Sequence, residues 1–334
     1  ITDVIKLASN ENPLGPSALA KAAVAAVLAE MHMYPDGSCF RLRNALAAHY
    51  GIKPSCFMLG NGSDELLKIL AETFLDPGDE VIIAAPTFSE YEFVAKIMGA
   101  VTVKIPLKAF RHDLPAMAAA ITPATKMIII CNPNNPTGSV VSRQETEEFM
   151  ARVPDDVLVV FDEAYGEYVT SPAYASGLEW VMKGRNAVVL HTFSKLYGLA
   201  ALRIGYGMSN EAIVAAADRV TEPFNVNMPA QIAAEAALAD VEHRENSRRV
   251  NEEGKAYLYK NFAAMGLDYV PTEANFIFVD LGMDCQAAFK ALLRRGVIVR
   301  TGDVFGYPRH IRVTVGTAEE NERFIRNLQR LNEA

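Results

Sequence analysis

Short runs rich in Val and Ile alternate with Ala-rich stretches through the first two thirds of the chain. The apolar runs cover residues 80–85, 101–105, 126–131, 157–162, 187–191 and 203–208. Runs this short, apolar on both phases of the pleat, fit strands buried on both faces of a sheet. Between them, residues 63–75, 90–98 and 143–152 read as helices. Such alternation predicts an α/β fold with a mostly parallel central sheet. After about residue 225 the texture changes. Residues 229–264 read as helix, first Ala-rich and then charged, followed by 275–280, a helix near 285–295, 297–300, 310–315 and a last helix from Ala318. This smaller-scale mixture predicts a second α/β domain. The expected division is an N-terminal arm (1–33) packing with the small domain, a large domain (34–225) and a small C-terminal domain (226–334).

The 334 residues are enough for two domains, and half of them are hydrophobic, which is ample for a core. With 32 basic and 40 acidic residues the formal net charge is −8. A nucleic-acid binder carries a basic excess, so no nucleic-acid partner is expected, and an anionic ligand must be held by local positive groups. Cys39, Cys56, Cys131 and Cys285 form no CxxC pair. Scattered cysteines point to packing roles and to a reducing, cytoplasmic compartment. No apolar run approaches the roughly 20 residues of a membrane span, and neither a membrane nor a metal is an expected partner. The sequence opens at Ile1 and not at a Met, which leaves a preceding native segment open.

The candidate chemistry gathers at strand ends. In His191-Thr-Phe-Ser-Lys195 a lysine follows a strand in apolar and aromatic surroundings. Desolvation lowers a lysine pKa from about 10.4 toward the free amine, which can form a Schiff base with an aldehyde. Alone, such a lysine is more often a solvated surface group; the company of Lys195 changes the reading. Arg203 follows, suited to a phosphate through bidentate hydrogen bonds. Asp162 ends the run 157–162, and ligands of α/β sheets gather at such ends. It can keep a pyridine nitrogen protonated or merely cap a helix, and Tyr165 can reach the same ring. Cys131-Asn-Pro-Asn-Asn-Pro-Thr-Gly138 forces a rigid turn that holds the Asn135 amide. Gly60-Asn-Gly-Ser-Asp-Glu65 opens a helix whose free N–H groups, at Ser63 and Asp64, suit a phosphate. It is neither a P-loop nor a dinucleotide fingerprint. Phe88 can stack on a planar group. Arg312, in an apolar strand, needs an anionic partner, either a ligand or an internal carboxylate.

Taken together these motifs resemble the fold-type-I aminotransferases that use pyridoxal phosphate, and most of all the histidinol-phosphate aminotransferase family. Further matching stretches are Leu7-Ala-Ser-Asn-Glu-Asn-Pro-Leu-Gly-Pro16, Tyr34-Pro-Asp-Gly-Ser38 and Arg312-Val-Thr-Val-Gly-Thr317. The resemblance implies roles. Lys195 is the Schiff-base lysine and proton shuttle, Asp162 the partner of the pyridine nitrogen, and Asn135 and Tyr165 the ligands of the ring oxygen. Phe88 stacks on the ring where relatives often have tyrosine. Ser63, Asp64, Ser194 and Arg203 hold the cofactor phosphate, joined by Tyr34 from the other subunit of a homodimer with shared sites. Arg312, helped by Arg300, binds the substrate anion, and Asn10 belongs to the substrate site. The implied reaction carries the amino group of L-histidinol phosphate to 2-oxoglutarate in histidine biosynthesis. Departures are Ala201, where relatives often have glycine, and Phe40-Arg41, where a tyrosine-and-acidic pattern is expected. Rival readings of the same fold are an aromatic-amino-acid aminotransferase and a threonine-phosphate-type decarboxylase. A non-catalytic cofactor-binding regulatory domain is a rival of another class, but it usually carries an added DNA-binding segment for which this chain has neither length nor charge.

Overall fold

Continuous Val, Ile and Leu runs form the middle of a seven-stranded sheet because both of its faces are covered. A computed structural model describes residues 3–331. In chain order the strands are β1 (Ile5–Leu7), β2 (Phe57–Gly60), β3 (Glu80–Ala85), β4 (Val101–Pro106), β5 (Thr125–Cys131), β6 (Leu158–Asp162), β7 (Ala187–Thr192), β8 (Gly205–Ser209), β9 (Tyr269–Val270), β10 (Phe276–Asp280), β11 (Val297–Thr301) and β12 (His310–Thr314). The large sheet has the order β2-β8-β7-β6-β5-β3-β4. Strands β3 to β7 are parallel, while β8 runs antiparallel to both of its neighbours. Successive side chains on a strand point to opposite faces. Ile82, Ile128, Val159, Phe161 and Val189 therefore enter one core, and Val81, Ile83, Ile129, Val160 and Leu190 enter the other. Full burial of one such side chain stabilises by about 1.5–3 kcal/mol.

The second sheet has the order β1-β11-β12-β10-β9 and is antiparallel except for the edge strand β1, which runs parallel to β11. The chain's first strand thus completes the sheet made by its last ones. Leu258, Phe262, Ile277, Val313 and Phe324 lie in this sheet's own core.

Three sequence expectations shift. Residues 203 and 204 are not strand: Arg203 adopts a left-handed conformation (φ 52°), and β8 begins at Gly205. Residues 229–264 are not one helix. They break at Asp240 into helices Met228–Ala239 and Val241–Ala264, the Asp240 side chain accepting the His243 N–H at 3.1 Å to cap the second. Packing also crosses the expected division at 225/226. Ala230, Ala233, Ala234, Ala237 and Leu238 belong to the core of the large sheet, together with Ala20 of helix Ala18–Val27. Small side chains let these two helices approach closely. A change in composition therefore precedes the change in packing partner.

The two sheets meet at the Asn132–Gly138 turn. Gly138 has φ +72°, a Cβ there would lie 1.9 Å from Thr272 Oγ1, and the Glu273 N–H donates to the Gly138 carbonyl at 2.9 Å. Only a glycine allows this turn to dock on the segment leading into β10. All four cysteines are free thiols. Among the described residues no helix is long and apolar enough to cross a membrane, and no cluster of His, Cys, Asp and Glu could hold a metal.

Candidate active site

The carboxyl ends of β5, β6 and β7 lie side by side, with Cys131 opposite Asp162 in the β5–β6 register. Each strand ends on a polar segment because the apolar layer stops there. The turn after β5 delivers Asn135, β6 delivers Asp162 and Tyr165, and β7 delivers Ser194 and Lys195. Together they line a cavity of about 290 Å³, closed by Ser63 and Asp64, by Phe88 and Tyr91, by Asn10 of the arm, and by Arg203 and Arg312.

Asp162 is buried. Its carboxylate accepts the Tyr91 O–H at 2.6 Å and the Ala164 N–H at 3.1 Å. Burial pushes its pKa up to about 6, and the two hydrogen bonds oppose that rise. Lys195 donates to the Ser9 carbonyl at 3.1 Å and sits 5.5 Å from the Tyr165 ring centroid. Burial, helped by the Arg312 charge, lowers its pKa to about 8, against the pull of Asp64 and Glu11. Tyr165 accepts the Asn10 amide N–H at 2.9 Å and packs edge-on against Phe276. Its hydroxyl is pushed up to about 12 by burial, offset by Arg312 and Asn10.

Arg312 is buried in β12. It donates to the Ala8 carbonyl at 2.7 Å and to the Asn135 side-chain oxygen, and lies 5.3 Å over the Phe276 ring. Its Nε has no partner and no carboxylate pairs with it among the described residues. Burial lowers its pKa, and Arg300 adds to that effect. A guanidinium this buried calls for an anion.

Opposite, helix Gly62–Phe74 starts at the cavity wall, so the first-turn N–H groups of Ser63 and Asp64 have no intrahelical acceptor. Arg203 spans this corner, pairing with Asp64 at 2.9 Å and donating to Ser194 Oγ at 3.3 Å. A Cβ at Gly62 would lie 2.5 Å from Arg203 Nη2, and one at Gly205 2.6 Å from the Ser63 nitrogen. These two glycines let the arginine and the helix start converge.

Two expected site residues stand outside this cavity. Tyr34 is 80% exposed and stacks on Phe224. Arg300 lies opposite Arg312 in the β11–β12 register, hence on the same sheet face, but lines an adjoining cavity of about 500 Å³ with Lys104, Phe88 and Phe305. Residues not singled out from sequence also face the main cavity: Ser9, Glu11, Tyr91 and Thr192. Tyr91 lies three residues after Phe88, but its bond to Asp162 depends on the fold.

The chain matches the family described as aminotransferase class I and II over residues 2–328. It is 55% identical to a histidinol-phosphate aminotransferase of Moorella thermoacetica, covering 99% of this chain and 86% of that protein. It is 46% identical to one of Caldicellulosiruptor saccharolyticus, covering 98% and 91%. Among solved structures, the histidinol-phosphate aminotransferase of Sinorhizobium meliloti in complex with pyridoxal-5'-phosphate superimposes with a TM-score of 0.91 at 27% identity, over 98% of this chain and 92% of that one. With the family match spanning nearly the whole length and the cavity at its strand ends, the chain belongs to the class I and II aminotransferases.

Proposed function

We propose that this chain is a pyridoxal-phosphate-dependent aminotransferase that moves the amino group of L-histidinol phosphate to 2-oxoglutarate, a step of histidine biosynthesis. The observation that carries the reading is that Asp162, Lys195 and Arg312 face one cavity, none of them ion-paired among the described residues. Each needs a partner that a cofactor and an anionic substrate together supply.

The residues fit the cofactor. A carboxylate raised by burial, with two neutral donors and no paired cation among the described residues, suits a protonated pyridine nitrogen. Asn135 and Tyr165 suit a ring oxygen, and Phe88 provides a wall for a planar ring. The Ser63 and Asp64 N–H groups, with Ser194 and Arg203, form a cradle for a phosphate. When bound, pyridoxal phosphate supplies an aldehyde for the amine and a ring that accepts electron density. Lys195 is the amine that holds it. Once released, Nζ takes the proton from the donor carbon and returns it, and a pKa near 8 leaves a useful share of free amine at neutrality. Arg312 holds the anion of donor and acceptor alike. Arg300, on the same sheet face, adds a second guanidinium that a phosphate dianion engages and a single carboxylate does not require. The cavity wall of Ser9, Asn10 and Glu11 comes from the arm, whose Ser9 carbonyl accepts from the amine.

A homodimer with shared sites is part of the proposal. Met31, Met33, Tyr34, Phe40 and Phe224 are large apolar side chains left exposed, clustered around the 31–40 segment. A second copy that covers them brings its Tyr34 toward the cofactor phosphate.

Three outcomes test this reading. In a panel of donors with 2-oxoglutarate, L-histidinol phosphate gives the highest kcat/KM. Arg300→Ala lowers that value roughly ten- to a hundredfold, in line with about 1.5–3 kcal/mol for a charge-assisted hydrogen bond, and affects phenylalanine much less. Arg312→Ala impairs every donor. Equal losses on both donors from Arg300→Ala, or a preference for phenylalanine, contradict the phosphate reading.

The second concerns Asp162. Its folded pKa of about 6 lies above the unfolded value. The folded state therefore binds this proton more tightly, and the stability so gained is complete below about pH 4 and lost as pH rises through 6. Cofactor-free Asp162→Asn should match wild type near pH 4 and be more stable by about 1–3 kcal/mol at pH 8, while binding pyridoxal phosphate more weakly. Thermal melts at the two pH values measure the first, and a cofactor titration the second.

The third mixes Tyr34→Phe with Lys195→Ala subunits. A mixed dimer holds one site with both defects and one with neither, so activity rises above the sum of the parents. No recovery despite demonstrated subunit exchange counts against shared sites.

A further inference from the structure

Behind the cavity wall a histidine is gripped by two glutamates, and nothing in the reaction described above uses it. His191 lies in β7, on the strand that leads into Lys195. Its Nδ1 is 3.0 Å from Glu167 Oε1 and its Nε2 is 3.4 Å from Glu163 Oε2. All three side chains are more than nine-tenths buried, at 7%, 9% and 1% exposure. Glu163 has further donors, the Gly177 N–H at 2.6 Å and the Ser176 O–H at 2.7 Å. Glu167 does not: its Oε2 has no partner among the described residues, so His191 is the donor its carboxylate relies on. The imidazole also stacks on Tyr206, with centroids 5.3 Å apart and planes 8° from parallel. Tyr206 in turn shares a 2.6 Å hydrogen bond with Tyr50.

The two glutamates bracket the turn that presents Tyr165. Between them stand only Ala164, Tyr165 and Gly166. The turn closes on itself through the Gly166 N–H to the Glu163 carbonyl at 2.8 Å. At its start, the Ala164 N–H is one of the two donors to Asp162. A Cβ on Gly166 would sit 3.2 Å from Glu163 Cβ and 3.5 Å from His191 Cε1, so the turn is packed directly on the imidazole. Burial alone would discharge this histidine, but Glu167 and Glu163 outweigh it and hold His191 protonated, with a pKa of about 10. The other groups facing the cluster are His49 and Tyr50 from helix Phe40–Tyr50, Tyr168, Tyr174 beside Glu163, Tyr197, and Arg244 and Arg248 from helix Val241–Ala264. Of these, Arg248 Nε is bonded to the Glu167 backbone carbonyl at 2.6 Å. It anchors the chain there and leaves the carboxylate to His191.

We propose that His191 is a positioning residue for the amino-group transfer: by gripping Glu163 and Glu167 it fixes the turn between them, and with it the placement of the Tyr165 hydroxyl in the cavity. The proposal rests on the reading of Tyr165 as a group that contacts the cofactor. A group held a fraction of an ångström out of place costs rate more than affinity, because a misplacement of about 1 Å can cost on the order of a hundredfold.

The test is a double-mutant cycle on the holoenzyme, read by kcat, KM and the pH midpoint of the cofactor's absorbance change. The variants are Tyr165→Phe, His191→Gln and the two combined. His191→Gln should lower kcat about ten- to a hundredfold, leave KM within about threefold, and move the absorbance midpoint in the same direction as Tyr165→Phe does. In the Tyr165→Phe background the same substitution should cost less than about twofold more, because its route is already cut. Where His191→Gln yields no folded protein, Glu167→Gln, which loosens one side of the grip and keeps an acceptor for the imidazole, goes through the same cycle with the same criteria. Additive losses, or a wild-type absorbance midpoint in the histidine variant, overturn the inference and leave the Tyr165 reading standing. A Tyr165→Phe enzyme with wild-type kcat and midpoint overturns both.

Discussion

Asp162 ends a strand whose every residue is buried, and it faces the cavity with a hydroxyl and an amide as donors and no paired cation among the described residues. A carboxylate in that position is costly to ionise, which is why its pKa is pushed up to about 6. The rest of the site follows from keeping it there. The two covered faces of the large sheet hold the strand end in place, and the parallel register sets the ends of β5, β6 and β7 at one edge. Lys195, just past the end of the neighbouring strand, is desolvated by the same walls, in the opposite sense: burial favours its free amine as it favours the neutral acid. In the proposed reading, a cationic ring nitrogen and an electrophilic carbon would offset both costs at once.

The second sheet supplies the other half of the electrostatics. Arg312 comes from a sheet completed by the chain's own first strand, and the arm that follows β1 passes Asn10 to Tyr165 and the Ala8 carbonyl to Arg312. Arm, small sheet and cavity are therefore one construction. The Gly138 turn, docked on Thr272 and Glu273, ties Asn135 to the segment that leads into β10, across from Arg312 in β12. Movement of the small sheet against the large one changes the Asn135–Arg312 contact directly.

Much of this was legible in the sequence, and the exceptions have physical causes. Strands buried on both faces read as continuous apolar runs, so the five parallel strands were visible, whereas short β1 and β2 carried too little pattern. Asp162, Asn135 and Lys195, at or just past strand ends, and Ser63 and Asp64, at a helix start, were visible because polar side chains there interrupt an apolar run. Arg203 was read into a strand because its neighbours are apolar; its left-handed backbone, fitted over Gly62, has no sequence period. The Ala-rich helix Met228–Ala239 looked like the start of a new domain, yet its small side chains pack it on the large core. Arg312 stood out in an apolar strand, with Arg300 as its helper; the register sets the two opposite one another, lining two adjoining cavities. Tyr91 on Asp162 and His191 between its glutamates are tertiary contacts between distant segments, which no local pattern encodes.

The central claim is that the desolvated amine of Lys195 is the group that holds pyridoxal phosphate. The direct measurement is borohydride reduction of the purified, cofactor-loaded protein followed by peptide mass mapping. The account requires a pyridoxyl group on Lys195, close to one per chain, and its loss in Lys195→Ala. A label on another lysine, or no label on a protein that binds the cofactor, would contradict it.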